Sequence, residues 1–188
     1  RSLHQEMGAA PSGADVVAQC RGGLTYFARS EGQLQAFAWP FSEIELLCFH
    51  TGKKLSTHEH LKDLRLQDMA GLESSLRVLQ ESLSQLNWEG FLAAWKTFSL
   101  GLEDAGYVAP ETLMKLKTLR EDPRLAWARG CGAMGADVIM IAAYKNQDLS
   151  QIKKDMAAQG LRWVASSSQI SEGLRVQSLV STEEVRSL

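Results

Sequence analysis

Helical spacing dominates the middle of the chain, and strand-like runs lie on both sides of it. The apolar residues that recur every three or four positions there are Leu72, Leu76, Leu79, Leu83, Phe91, Ala94, Trp95, Phe98 and Leu102. Gly71, Asn87 and the stretch EDAGYVAP interrupt the pattern. These signals predict four helices, over 57–67, 71–85, 88–105 and 110–121, the last with a proline in its first turn.

Short apolar and aromatic runs before and after this block predict strands. They cover 24–28, 34–39, 44–49, 125–128, 137–143, 161–164 and 174–177. The polar link RSEG between the first two runs is typical of a hairpin. A further helix over 149–159 is expected to end at Gly160. The whole pattern predicts an α+β fold, with helices on one face of a largely antiparallel sheet.

Composition narrows the classes of function. A hydrophobic fraction of 45% and a charged fraction of 22% in 188 residues are typical of a soluble globular chain, and the net charge of −2 disfavours a nucleic-acid binder. No run is long enough for a membrane span, and no secretory signal is visible. Three widely separated cysteines argue against a disulfide framework, so we expect a cytoplasmic protein. Because the chain begins at Arg1, we expect it to be a piece of a longer protein.

One acidic residue lies between two small-residue turns near the beginning of the chain. Pro11, Ser12 and Gly13 precede an apolar helix start, which places Asp15 near a helix N-terminus. The helix dipole and free N–H groups there stabilise a charged carboxylate. Asp15 could therefore accept a proton or orient a hydroxyl group. A simple helix-capping role is the alternative.

The stretch PSGADVVAQCRGGLTYF resembles the segment of GHMP-superfamily small-molecule kinases that carries the catalytic aspartate. The mevalonate kinase form reads Pro-Ser-Gly-hydrophobic-Asp, then a helix, a Gly-Gly pair and a strand. The resemblance implies that Asp15 orients or deprotonates the hydroxyl that attacks the γ-phosphate. It also places Ser12 and Gly13 in the vicinity of the substrate.

Two further stretches resemble the same family, in the same order. LLCFHTGKKLSTHEHL is similar to a strand, a Thr-Gly loop and a helix start, and the resemblance places the hydroxyl of Thr57 near the active site; an N-cap role for Thr57 stays open. ARGCGAMGADVIMI is similar to the family's glycine-rich loop, which flanks the active site. Its matching residues are Gly130, Gly132 and Gly135. Ala133 and Met134 depart from the family's glycines.

The resemblance implies a fold and a domain organisation for the whole chain. Residues 1–43 would be the end of an N-terminal kinase domain, and 44–188 a ferredoxin-like C-terminal kinase domain. The family's ATP phosphate loop and its N-terminal lysine have no counterpart here, and we expect them upstream of Arg1. ATP and Mg²⁺ would then be bound mainly by that missing part, no metal ligand is assigned here, and the 188-residue piece alone is expected to be inactive.

The implied reaction is ATP-dependent phosphoryl transfer to a small-molecule alcohol. Because the segment is most similar to the mevalonate kinase form, the first candidate alcohol is mevalonate, in isoprenoid precursor synthesis. The second hypothesis is a phosphomevalonate kinase, followed by other GHMP sugar or alcohol kinases. The implied partners are the alcohol and ATP, with neither nucleic acid nor membrane, and a homodimer stays open. A non-catalytic ligand-binding or regulatory domain on the same scaffold is the alternative of a different class, motivated by Ala133 and Met134.

Other clusters of polar residues have plainer explanations. His50, His58 and His60 crowd one loop, but histidines two apart diverge on a helix, so a metal site is disfavoured. Cys48 and His50 share a strand face without an orienting third group, and Cys48 is interpreted as core packing. The leucine stripe is interpreted as core, and the aromatic residues of 88–95 as core or as an inter-domain surface.

Overall fold

The structure, a computed structural model, describes residues 13–53, 70–132 and 135–174. They form two compact units. The first contains 13–38 together with 171–174, and the second is Trp39–Ile170. The assignment of 1–43 and 44–188 to two kinase domains stays a prediction.

The first unit is a helix followed by a hairpin. Helix α1 is Ala14–Arg21, and strands β1 (Leu24–Ala28) and β2 (Gln33–Phe37) pair antiparallel around a short 3₁₀ turn. The register runs from Leu24 opposite Phe37 to Ala28 opposite Gln33. The hairpin predicted from the RSEG link is therefore confirmed.

Two glycines let the chain return to this unit after residue 170. Gly22 has φ +66°, and a Cβ atom there would lie 2.2 Å from the backbone nitrogen of Gly173. A Cβ atom on Gly173 would lie 2.1 Å from the carbonyl oxygen of Cys20. The N–H of Gly23 also donates to the carbonyl of Ser171 at 3.2 Å. The two backbone segments can approach this closely only because both positions lack a side chain.

We expect Gly22→Ala to release this returning segment. The substitution combines a left-handed backbone with a backbone clash, which costs on the order of 1–3 kcal/mol. Hydrogen exchange at Gly23 should become faster by about 10-fold or more. Gly13→Ala is the matched control, since Gly13 has φ +75° but open space around its Cα. Equal protection of Gly23 in Gly22→Ala and the control would contradict the expectation.

The second unit is built on one four-stranded sheet. Its elements in chain order are β3 (Ile44–His50), α2 (Ala70–Ser84), α3 (Trp88–Asp104), α4 (Pro110–Arg120), β4 (Leu125–Cys131), β5 (Val138–Tyr144), α5 (Leu149–Ala158) and β6 (Arg162–Ser166). The strand order is β4-β5-β3-β6, with every neighbouring pair antiparallel. The predicted α+β class with an antiparallel sheet is confirmed. The predicted helix 57–67 lies outside the described residues, as does the predicted strand 174–177 apart from Leu174.

Helices cover both faces of this sheet, whereas the sequence predicted one face. Alternate residues of β3 belong to two different core clusters: Leu47 and Phe49 to one, Ile44 and Leu46 to the other. Helices α4 and α5 supply the first cluster, and α3 the second. A strand buried on both faces reads as a continuous apolar run, which is the pattern of 46–49 and 138–143.

Aromatic side chains form the centre of the second cluster. The rings of Trp39, Phe41, Trp88, Phe91 and Trp95 contact one another with centroid separations of 5.1–6.4 Å. Offset and edge-to-face contacts of this kind add to the burial of apolar area. Of the two interpretations of the aromatic residues in 88–95, packing within the core of the second unit is the one observed.

Candidate functional site

The Asp15 turn belongs to the first unit. Gly13 occupies the N-cap position of α1 in a left-handed conformation, with φ 75° and ψ 0°, and Asp15 follows in the first helical turn. Asp15 is exposed. Because Gly13 holds the capping position, Asp15 is not the N-cap residue that was its alternative role. The carboxylate lies at the N-terminal end of α1. Ser12 lies outside the described residues.

The glycine-rich turn belongs to the second unit and connects β4 to β5. A Cβ atom on Gly130 would lie 2.3 Å from the carbonyl oxygen of Gly135, so this turn needs glycine for its own closure. Gly132 and Gly135 have φ values of +82° and +57°, and the N–H of Gly135 donates to the carbonyl of Gly132 at 3.1 Å. The three predicted glycines are thus together in one tight turn. Ala133 and Met134 lie outside the described residues.

The loop after β3 is hydrogen-bonded to this turn. The N–H of Thr51 donates to the carbonyl of Asp137 at 3.0 Å, and the Thr51 hydroxyl donates to the carbonyl of Ala136. The N–H of Lys53 donates to the Thr51 hydroxyl at 3.1 Å. The C-terminal end of β3 and the β4–β5 turn therefore form one hydrogen-bonded region. Thr57, the predicted site residue of the β3 loop, lies outside the described residues.

A histidine–aspartate pair in the same region was missed by the sequence reasoning. His50 Nε2 lies 3.3 Å from Asp137 Oδ1, and the N–H of Gly52 donates to His50 Nδ1 at 2.9 Å. Both side chains are partly exposed. Asp137 had been assigned only to a strand start. The sequence did contain a signal for Asp137. It is an acid between a glycine-rich turn and an apolar strand, and such a residue lies at the end of the sheet, next to the loops.

The cysteines of the sheet are packing residues. Burial and the nearby Cys131 raise the pKa of the Cys48 thiol to about 11. Burial also raises the pKa of Cys131. Both thiols are therefore protonated near neutral pH, whereas a nucleophilic cysteine needs its thiolate form. The interpretation of Cys48 as core packing agrees with this chemistry.

Within the described ranges, no group of three or more histidine, cysteine, aspartate or glutamate side chains could hold a metal ion. His58 and His60 lie outside those ranges. No helix in the part of the chain that the structure describes is long and apolar enough to cross a membrane. Lys53, in the loop after β3, forms an exposed ion pair with Glu111.

Comparison with known proteins links this geometry to a fold. No family model matches the chain, and no curated protein matches it significantly. L. major mevalonate kinase in complex with R-mevalonate matches with a TM-score of 0.66 and 16% identity, over 92% of this chain and 56% of that one. Lactococcus lactis galactokinase complexed with galactose matches with a TM-score of 0.67 and 12% identity, over 90% of this chain and 57% of that one. The chain has the fold of the GHMP kinase C-terminal domain.

A third solved structure that matches the chain contains two ligands. Streptococcus pneumoniae phosphomevalonate kinase in complex with phosphomevalonate and AMPPNP matches with a TM-score of 0.59 and 16% identity, over 71% of this chain and 42% of that one. The chain thus spans about half the length of these kinases. The three kinases differ in the ligands they contain, so the likeness shows a shared fold and does not single out mevalonate.

Proposed function

We propose that the chain is the C-terminal portion of an ATP-dependent GHMP-type kinase that phosphorylates a small-molecule alcohol. The shared fold supports this proposal, as do three sequence segments that resemble the family in the family's order. Mevalonate is our first candidate acceptor, because the Pro11-Ser12-Gly13 turn is similar to the mevalonate kinase form. Residues 1–43 would end the N-terminal kinase domain, and 44–188 would form the C-terminal one.

The observation that carries the proposal is the placement of Asp15. An exposed carboxylate follows a left-handed glycine in the first turn of α1, in a chain whose fold is that of small-molecule kinases. Phosphoryl transfer depends on positioning and on a residue that orients the nucleophile or accepts its proton. We assign this role to Asp15, which would hydrogen-bond the acceptor hydroxyl and take its proton as the oxygen attacks the γ-phosphorus.

The other predicted residues would shape the surroundings of the transferred group. Ser12 and Gly13 would line the acceptor side, and the Thr57 hydroxyl would donate a hydrogen bond near the phosphoryl group. The turn of Gly130, Gly132 and Gly135 would let backbone N–H groups approach an anion closely. The left-handed φ values of the last two glycines are the conformations that make such an approach possible.

The described residues offer little that fits MgATP directly. They contain no cluster of three or more metal-ligating side chains. We propose that MgATP is held mainly by a part of the protein N-terminal to this sequence. When bound there, Mg²⁺ would neutralise charge on the phosphate oxygens, while this chain supplies the base and the glycine-rich turn.

An ATP-consumption assay of the full-length protein tests the proposal. The acceptor panel is R-mevalonate, phosphomevalonate, galactose and homoserine. We expect ADP release that depends on one alcohol, with R-mevalonate giving the highest kcat/KM. A preference for phosphomevalonate would favour the alternative hypothesis of a phosphomevalonate kinase. ATP turnover that no acceptor stimulates, with intact ligand binding, would contradict the kinase proposal and favour a binding or regulatory domain, for which Ala133 and Met134 are the motivating residues.

A further inference from the structure

His50 connects two turns through opposite nitrogens of its ring. A neutral imidazole has one N–H donor and one acceptor nitrogen. The N–H of Gly52 points at Nδ1, at 2.9 Å, so Nδ1 must be the acceptor. The proton therefore lies on Nε2, which faces Asp137 Oδ1 at 3.3 Å. The hydrogen-bond network thus assigns a single tautomer to His50.

Asp137 is held against the glycine-rich turn from the other side. A Cβ atom on Gly132 would lie 2.9 Å from Asp137 Cβ, so the aspartate packs directly over that glycine. The next residue, Val138, pairs with both His50 on β3 and Cys131 on β4. The histidine–aspartate pair therefore lies where three strand ends meet.

The two turns are also joined by hydrogen bonds outside this pair. Thr51 already bonds to the carbonyl groups of Ala136 and Asp137 through its backbone and its hydroxyl. What the pair adds is direction: the N–H of Gly52 donates to one ring nitrogen, and the carboxylate of Asp137 lies 3.3 Å from the other. Both side chains keep about a third of their surface exposed, at 30% and 34%, so this arrangement borders solvent.

We propose that His50 is a positioning residue that holds the Asp137 carboxylate against Gly132 and thereby sets the glycine-rich turn for an incoming phosphoryl group. This inference rests on the proposed function, in which that turn borders the active site. Without the contact to His50, the Asp137 side chain would no longer be held over Gly132, and the turn would lose a group that packs against it. A displaced turn would also misalign backbone N–H groups whose direction matters for transfer.

Four substitutions separate the parts of this arrangement. His50→Asn can keep an acceptor near the Nδ1 position but cannot reach Asp137, whereas His50→Gln can donate to Asp137. Asp137→Asn removes the charge. Gly132→Ala pushes the aspartate away through its new methyl group, and Gly160→Ala is its matched control, with φ +78° and open space around Cα.

In the full-length enzyme, we expect kcat/KM to fall by about 10-fold to 100-fold in His50→Asn, Asp137→Asn and Gly132→Ala. His50→Gln should retain most of the activity, and Gly160→Ala all of it. Rescue by the glutamine variant is the readout that a merely structural role would not give. The imidazole ¹⁵N shifts, measured by NMR where the ring is neutral, should show an Nε2–H tautomer for His50, with a protected Gly52 amide.

The outcomes separate this inference from the proposed function. An Nδ1–H tautomer overturns the inference whatever the activity. An active enzyme whose kcat/KM is unchanged in both His50→Asn and Asp137→Asn also overturns it, and leaves the kinase proposal standing. A wild-type protein that phosphorylates none of the acceptors, yet shows the Nε2–H tautomer, removes the kinase proposal and with it the positioning role.

Discussion

Replacing Asp15 by asparagine should lower kcat of the full-length protein by ~10²-fold or more, with little change in ATP affinity. Loss of a general acid–base group has at least this effect on the chemical step. Asparagine has nearly the same shape but cannot accept the hydroxyl proton. Steady-state kinetics with the preferred alcohol provide the measurement, and direct titration of ATP shows whether nucleotide binding persists.

The fold should survive this substitution, so a rate loss can be assigned to chemistry. Asp15 is exposed in the first turn of α1, where a carboxylate contributes only about 0.3–1 kcal/mol through the helix dipole. Glu31→Gln is the matched control, because it removes a carboxylate from the short turn between β1 and β2. We expect wild-type rates for it. An Asp15→Asn enzyme as fast as the wild type would exclude Asp15 from the mechanism.

A second large effect is expected at Glu45, a buried carboxylate in β3. Its side chain is only 5% exposed. It accepts a hydrogen bond from the N–H of Ser168 at 2.8 Å, and Lys145 Nζ lies 3.2 Å away. Burial alone would raise its pKa, but the hydrogen bonds from Ser168, Ser166 and Lys145 outweigh it and lower the pKa from 4.5 to about 2.

We expect Glu45→Gln to reduce the free energy of unfolding at pH 7 by up to about 3 kcal/mol, since each pKa unit is equivalent to about 1.4 kcal/mol. The folded-state pKa is depressed, so this stability is fully present above pH 4.5. It is lost as the pH falls through about 2. Urea unfolding of the two proteins at pH 7 and at pH 3 should therefore show a smaller difference at the lower pH.

The exposed Glu43 provides the control for this experiment. Glu43→Gln removes a carboxylate two residues away, at the surface, and should change the stability by less than about 0.5 kcal/mol. Because other carboxylates also titrate, the informative quantity is the difference between wild type and variant at each pH. A difference that stays constant between pH 7 and pH 3 would contradict the account of Glu45.

The helices and strands of the second unit followed from local patterns. Asn87 at the start of α3 and Pro110 at the start of α4 are signals that the residues themselves carry, and the structure uses both positions. The number of covered sheet faces was harder to predict. A continuous apolar run such as 46–49 indicates burial but does not say whether one or two layers of helices provide it.

Contacts between distant residues could not be predicted from such patterns. His50 and Asp137 meet because β3 and β5 pair in one particular register, which neither segment specifies alone. Gly22 and Gly173 are in close contact although most of the sequence separates them. Glu45 was not singled out from the sequence, because its partners Lys145 and Ser168 are distant along the chain and no local pattern identifies them.

The most direct test of the central claim is a crystal structure of the full-length protein with AMPPNP and its preferred alcohol. We predict that a carboxylate oxygen of Asp15 lies within hydrogen-bonding distance of the acceptor hydroxyl, about 2.6–3.2 Å, and on the side facing the γ-phosphate. An acceptor bound with its hydroxyl beyond the reach of Asp15, even through one water molecule, would contradict the assignment of this carboxylate as the base.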